Sequence, residues 1–505
     1  VHWCITARRD ATSDGDGAQI RAPISIGEVT MALDARPDAA PSAVVAPFVT
    51  VDHAGIARLV HAVAALWALA AAVLGVLLGL ERFDAGTALV DAGAHVQLVA
   101  LARVALVFGL LGGMLTSAAL AAVPGQVGAA ALAFPRGASL GAWLWVGGSV
   151  LVAWSIVANG GPGGGDAAMV ELYLMGLGVM TLGLLAVMVV LAATVLAGRA
   201  PGRALADAPG LAWASLVAAT SLVVTLATML GSLVYVGVDF AYERSAFGGA
   251  DGIGAWLGWA TSQPHTFLFA LPCLGVLVDA VDRATGGAVV GRTVAQVGTG
   301  IAGLAMLEPV TQSTFLLRPE GAGRDVIAGV VPWLIFSGLP LLGCLAVIGV
   351  ALRSMQAARA RPTGAFVAAF LAVGMVLTGL LGSAVQRIDL LGLGGTVFEE
   401  GALLYVAYGA VLASVAMRAL LLGDDAAPRT LRLAGIGFLA IVLAALPLYV
   451  AGVLDQPGGA LGGFDDDGIV GVLNLVSGAG HALFVLFLLG VGAAWGGRMA
   501  KAAGA

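Results

Sequence analysis

The sequence predicts an all-α integral membrane protein, a bundle of twelve transmembrane helices, and three observations carry that prediction. The first is composition: 60% of the 505 residues are hydrophobic and only 11% are charged, with a mean hydropathy of +0.99, far outside the range of soluble domains. The second is that twelve apolar runs are long enough to cross a hydrocarbon core, which needs about 20 residues per helix. The third is an alternation of arginine-rich and arginine-poor loops between those runs.

In chain order the runs fall at about 56–80, 94–122, 139–158, 168–197, 210–236 and 255–280, and then at about 288–307, 326–351, 363–385, 400–422, 431–453 and 468–493. Connections on one side carry Arg58, Arg136, Arg199, Arg203, Arg283, Arg292, Arg353, Arg359, Arg361, Arg418, Arg429, Arg432, Arg498 and Lys501. The opposite side has only Arg82, Arg244, Arg318, Arg324 and Arg387. By the positive-inside rule both termini are expected to be cytoplasmic. Residues 1–50 read as a disordered extension, the polar stretch 1–30 ahead of Met31 lacking the apolar core of a targeting segment. Residues 51–495 form the membrane domain, and 496–505 a cytoplasmic tail.

Acids collect in the loops expected outside: Asp84, Asp91, Asp239, Glu243, Asp251, Glu320, Glu399, Glu400 and Asp465 to Asp467. Charges of this kind are ordinarily solvated, and Glu171, Asp279 and Glu308 near helix ends read as snorkelling groups. A net charge of -6 leaves no basic surface for nucleic acid. Cys4, Cys273 and Cys344 are too widely spaced for a disulfide framework or a thiolate cluster. The 74 glycines suit close helix approach in lipid.

The most specific stretch is Trp259 to Asp279, WATSQPHTFLFALPCLGVLVD. It resembles the sixth helix of subunit I of the haem-copper respiratory oxidases, in which His-Pro-Glu-Val-Tyr is followed by Leu-Pro-Gly-Phe-Gly. Gln263 to Phe267 occupy the first frame and Leu271 to Gly275 the second. Other frames fall in order. Asp52-His53 resembles the family's Asp-His-Lys start, and VPGQVGAAALAFPR over 123–136 resembles Val-Pro-Leu-x-Ile-Gly-Ala-Pro-Asp-Met-Ala-Phe-Pro-Arg, with Trp143 on the following Trp. Arg199 to Gly202 match Arg-Ala-Pro-Gly, and Val450 to Gln456 stand where Leu-Ala-Gly-Met-Pro-Arg-Arg is expected.

This resemblance implies a twelve-helix fold like haem-copper oxidase subunit I, with haem and copper held by histidines inside helices. At the implied ligand positions stand other residues: Leu101 for the low-spin haem ligand of the second helix, Gln263 for the copper histidine of the sixth, Gln312 and Ser313 for the seventh, and Gly401 and Leu403 for the tenth. Phe267 replaces the tyrosine and His265 the gating glutamate of the sixth helix. Ala131 stands for the acid at the mouth of one proton channel and Pro340 for the lysine of the eighth helix. Asp455 and Gln456 replace the arginines that clamp haem propionates, a role needing charge-assisted donors. The six histidines, His2, His53, His61, His95, His265 and His481, fall on none of the implied ligand positions.

The leading expectation is therefore a degenerate, non-catalytic homologue of cytochrome c oxidase subunit I in the inner (plasma) membrane. It would carry neither haem nor copper, and serve as scaffold or partner to other membrane subunits of a respiratory complex. A twelve-helix secondary transporter is the alternative, though its internal repeat is not evident; an active oxidase with displaced ligands is a third. Among the histidines, His265 occupies a functional position, while Thr261 one turn earlier could satisfy its ring. His61 and His481 read as packing residues with one hydrogen-bond partner each. Leu101, Leu403 and Phe267 are expected to help fill the volume left by haem.

Overall fold

Helix starts in this chain are set largely by short polar side chains that cap exposed N–H groups. Asp52 accepts from Gly55 N (2.9 Å), Asp91 from Ala94 N (2.8 Å) and Asp166 from Met169 N (3.1 Å), and Thr363 accepts from Phe366 N (3.2 Å). Pro135 and Pro428 open their helices at the first turn, where a missing N–H is harmless. The computed structural model describes residues 52–83, 90–244, 246–311, 316–317, 324–459 and 468–502, and its regular structure there is helical. The expected extension at 1–50 lies outside the described residues, as do Gln312, Ser313 and Asp465 to Asp467.

In chain order the helices are α1 (His53–Glu81), α2 (Ala92–Val104), α3 (Gly112–Val127), α4 (Pro135–Val157), α5 (Ala167–Ala197), α6 (Gly210–Ala241), α7 (Gly249–Leu257), α8 (His265–Ala270), α9 (Pro272–Thr285) and α10 (Arg292–Gly303). They continue with α11 (Leu307–Thr311), α12 (Arg324–Trp333), α13 (Leu339–Ala357), α14 (Gly364–Gln386), α15 (Phe398–Leu421), α16 (Pro428–Val453) and α17 (Ile469–Ala502). A π-helical segment, Ala105–Leu111, joins α2 to α3, and another, Leu334–Gly338, joins α12 to α13. Helix α17 runs through 495 without a break, so the tail expected from 496 begins as helix.

Eleven of the resulting spans are long and apolar enough to cross a membrane, against the twelve expected. The difference is the run at 288–307. There α10 gives way to a 3-10 turn, Leu304–Met306, and then to the short α11. Polar residues supply the reason: Arg292, Gln296 and Glu308 leave this stretch less apolar than the other spans, while Pro309, which has no N–H to donate, breaks its helix. The sixth span is interrupted by the same chemistry. A 3-10 turn, Gly258–Thr261, precedes Pro264, and Pro272 separates α8 from α9.

Packing runs from neighbour to neighbour, α4 on α5, α5 on α6, α14 on α15 and α15 on α16, while α17 returns against α1. The centre is occupied by the sixth span, 94% of whose apolar window is buried, and by α15 at 89%, against 39% for α1. Small residues permit this closeness. A Cβ on Gly183 would collide with the backbone N of Trp145 in α4, and one on Gly141 would lie 2.8 Å from Gly183 O.

Candidate functional site

The interruption at Pro264 decides what the sixth span presents. His265 is the first residue of α8 and is fully buried. Its Nδ1 lies 2.7 Å from Ala260 O, so Nδ1 carries the proton and donates, leaving Nε2 as a buried lone pair without a partner. The expected partner Thr261 is committed elsewhere, its hydroxyl donating to Gly258 O (3.0 Å). Gln263 Oε1 accepts from Phe267 N (3.1 Å), so the residue at the copper-histidine position caps the helix that follows it. Phe267 is fully buried, and the His265 ring stands edge-on between Trp259 and Phe269, each centroid 5.3 Å away.

Along α15 the two expected haem-ligand positions diverge. A Cβ on Gly401 would come within 2.9 Å of both Ala445 O and the Tyr449 ring, so this position is closed by α16. Leu403 instead lines a cavity between α1, α2, α15 and α17. Leu101 is elsewhere, beside Gln97 and Ile156 on another face of α2; the residues of that helix lining the cavity are Val99, Ala102 and Arg103. About 50 Å³ is open to water centres there, room for roughly three to five waters and far short of a macrocycle.

The cavity wall brings together groups that the sequence placed in separate roles. His481 on α17 lies 2.7 Å, Nδ1 to hydroxyl, from Tyr408 of α15, whose ring stacks on Phe484 at 3.6 Å. Gly75 makes the space, since a Cβ there would overlap the imidazole. Arg82 grips Glu400 through two hydrogen bonds of 2.7 and 3.0 Å, so Glu400 is a buried ion-pair partner rather than a solvated loop acid. Gln456, at one propionate-arginine position, is buried and accepts from Asn474 Nδ2 (3.1 Å), whereas Asp455 is exposed with φ of 63°. A sequence signal for this wall exists: Asn474, Ser477 and His481 recur at helical spacing on one face of an otherwise apolar helix.

Opposite the cavity end, the family-like loop frames prove to be structural. Gln126 Nε2 donates to Asp279 (2.6 Å), whose carboxylate also accepts from Gly210 N (2.7 Å) and Leu211 N (3.1 Å). Gln126 Oε1 accepts from Ala212 N (3.0 Å), and Arg203 Nη1 donates to Gln126 O (2.9 Å). One glutamine thus ties α3, the start of α6 and α9 together. Asp279 is a helix cap and not a snorkelling group. Glu308 is likewise buried, paired with Arg387, which also donates to Gln263 O (3.0 Å). Ala131 is exposed in the loop after α3, and Pro340 is buried in the first turn of α13.

These residues do not fit a haem-copper centre. Iron and copper require imidazole donors aimed at a shared point. Among the described residues His481 is the one imidazole lining the cavity, His61 faces Ser117 (3.2 Å) and His95 faces Gly459 O (3.1 Å). No group of three or more His, Cys, Asp or Glu is placed to hold a metal among the described residues.

The chain nevertheless resembles respiratory oxidase subunits in sequence. Residues 55–310 match the family described as cytochrome c and quinol oxidase polypeptide I. Cytochrome c oxidase subunit 1 of Bacillus subtilis is 23% identical over 247 residues, 46% of this chain and 40% of that protein. A putative cytochrome c oxidase subunit 1-beta of Streptomyces avermitilis is 23% identical over 250 residues, covering 46% and 44%, and quinol oxidase subunit 1 of Bacillus spizizenii is 26% identical over 197 residues, covering 36% and 30%. The matched region thus spans less than half the length of these relatives. In fold, the chain is similar to a haem-copper terminal oxidase dimer solved by cryo-electron microscopy, with a TM-score of 0.66, 12% identity, and coverage of 87% of this chain and 83% of that one. The match to the family model extends over half of the sequence, and the chain belongs to the cytochrome c and quinol oxidase polypeptide I family.

Proposed function

We propose that this multi-pass membrane protein is a non-catalytic subunit I homologue, a scaffold or partner subunit in a respiratory-type complex of the inner (plasma) membrane. In this reading it binds neither haem nor copper and has no oxidase activity, and both termini are cytoplasmic. The observation that carries it is the contrast between frame and site. The interhelical clamp at Gln126 and Asp279 holds the family's loop frame together, while Gly401 is sealed by α16 and Gln263 is spent on a helix cap. Fold alone does not confer function, and a chain that keeps the frame without the donors is suited to holding other subunits.

An oxidase with displaced ligands would need a second imidazole facing His481, and the opposing wall offers Val99, Ala102 and Arg103. Family and fold favour the oxidase frame over a transporter.

Purification of the full chain in mild detergent tests the proposal. At least one further membrane subunit, oxidase-like in composition, is expected to co-elute, and the optical spectrum is expected to lack a Soret band. An isolated monomer across several detergents would defeat the partner role, and a stoichiometric Soret band shifting on dithionite reduction would defeat the cofactor-free reading.

A further inference from the structure

The cavity between α1, α2, α15 and α17 carries more hydrogen-bond donors than its own residues use. Arg82 and Glu400 satisfy each other, but Arg82 Nε is buried without a partner. Arg103 also lines the cavity and makes no hydrogen bond among the described residues. Arg103 is half-buried and shares the charge of Glu400 with Arg82, and a guanidinium in a membrane helix without a hydrogen-bond acceptor is costly. His481 adds a third donor. No carbonyl or carboxylate among the described residues accepts from the Tyr408 hydroxyl, so that hydroxyl donates to Nδ1 and the ring proton sits on Nε2. Nε2 has no hydrogen-bond partner among the described residues, and the ring lines the cavity.

Charge and size narrow what would satisfy this wall. Two guanidiniums face one carboxylate, and Glu81, the adjacent buried acid, does not line the cavity. A single negative charge balances the site, whereas a dianion would leave it negative. The open space, about 50 Å³, admits a solute of a few heavy atoms with a water or two, by the volume a water needs. Asn474, Ser477 and His481 follow one face of α17, so the polar wall extends about 10 Å along the helix axis at 1.5 Å per residue. The remaining wall is apolar, with Leu78, Leu404 and Leu448 raising the strength of any charge interaction by excluding water.

We propose that this cavity is a binding site for a small monovalent anion, a halide or a short carboxylate, held by Arg103, the free edge of Arg82 and His481 Nε2. The site is independent of whether the chain associates with other subunits.

The test uses the full chain purified in detergent in sodium gluconate, whose anion is too large to enter. Chloride, acetate and inorganic phosphate are titrated separately at constant ionic strength, and the thermal unfolding midpoint is followed. Chloride or acetate is expected to raise the midpoint saturably, and phosphate not to. Arg103→Gln should weaken the apparent affinity by roughly tenfold or more, the loss of a hydrogen bond to a charged group, while Arg103→Lys should retain part of it. Leu403→Trp, which fills the cavity and leaves Arg103 in place, should abolish the response if Arg103→Gln fails to fold. An unsaturable response, an equal response to gluconate or phosphate, or an undiminished response in Leu403→Trp would overturn the proposal.

Discussion

At the scale of single residues, Gly401 and Leu403, two positions at which the resemblance implies ligands, differ in what surrounds them, and this makes their substitutions behave differently. Gly401 has no room for a side chain against Ala445 and Tyr449, so Gly401→Ala should destabilise by about 1–3 kcal/mol through overpacking. Leu403 borders open space, so Leu403→Ala should cost about 2 kcal/mol, the low end for a buried leucine, because little new cavity surface is created. Thermal unfolding of both variants in one detergent checks the order. Tyr408→Phe removes the donor to His481 Nδ1, and should cost about 1–3 kcal/mol because a buried acceptor is left unpaired. An unchanged midpoint for Tyr408→Phe would mean that the imidazole finds another partner.

At the scale of elements, prolines and polar clamps decide where helices break and how they are joined. Pro309 and Pro264 interrupt two spans that hydropathy reads as continuous, and the segment after Pro264 is fixed by Arg387, which donates to Gln263 O while paired with Glu308. Arg387→Met should destabilise by about 3–5 kcal/mol, since it leaves the Glu308 carboxylate buried without its counter-charge. The double variant Arg387→Met, Glu308→Leu should recover most of that loss, because an apolar pair of similar volume replaces a buried ion pair at little cost. Failure of the double variant to recover would show that the Gln263 contact, and not the ion pair, is what Arg387 supplies. At the opposite end, Gln126→Ala should lower the unfolding midpoint by leaving Ala212 N unsatisfied and taking one of the two donors from Asp279 Oδ2.

At the scale of the whole molecule, the bundle is similar in fold to a haem-copper terminal oxidase, and the cavity beside Leu403 is small. Leu403 lines that cavity, Phe267 is buried in α8, and Leu101 lies on another face of α2. Restoring histidine at Leu403 alone should therefore not confer haem binding on the purified chain, because the cavity admits only a few waters and the facing wall has no second imidazole. A Soret band in Leu403→His after expression with added haem would show that the helices can separate enough to admit the macrocycle.

The sequence by itself determined the class of fold, eleven of the twelve spans it led us to expect, and the family. Hydropathy and loop arginines report on a property each residue carries alone, its transfer into lipid, and the motif frames at 123–136, 199–202 and 263–275 lie within short stretches of chain. At the positions where the resemblance implies ligands, the sequence places residues other than histidine. Only the tertiary structure decided what took their place. That Gly401 is sealed while Leu403 faces a cavity, that Glu400 and Glu308 are buried ion-pair partners, and that His481 meets Tyr408 are matters of which helix faces which. Contacts between residues 73 to 318 positions apart are set by packing angles and rotation of whole helices about their axes, quantities that no local pattern of apolar residues encodes.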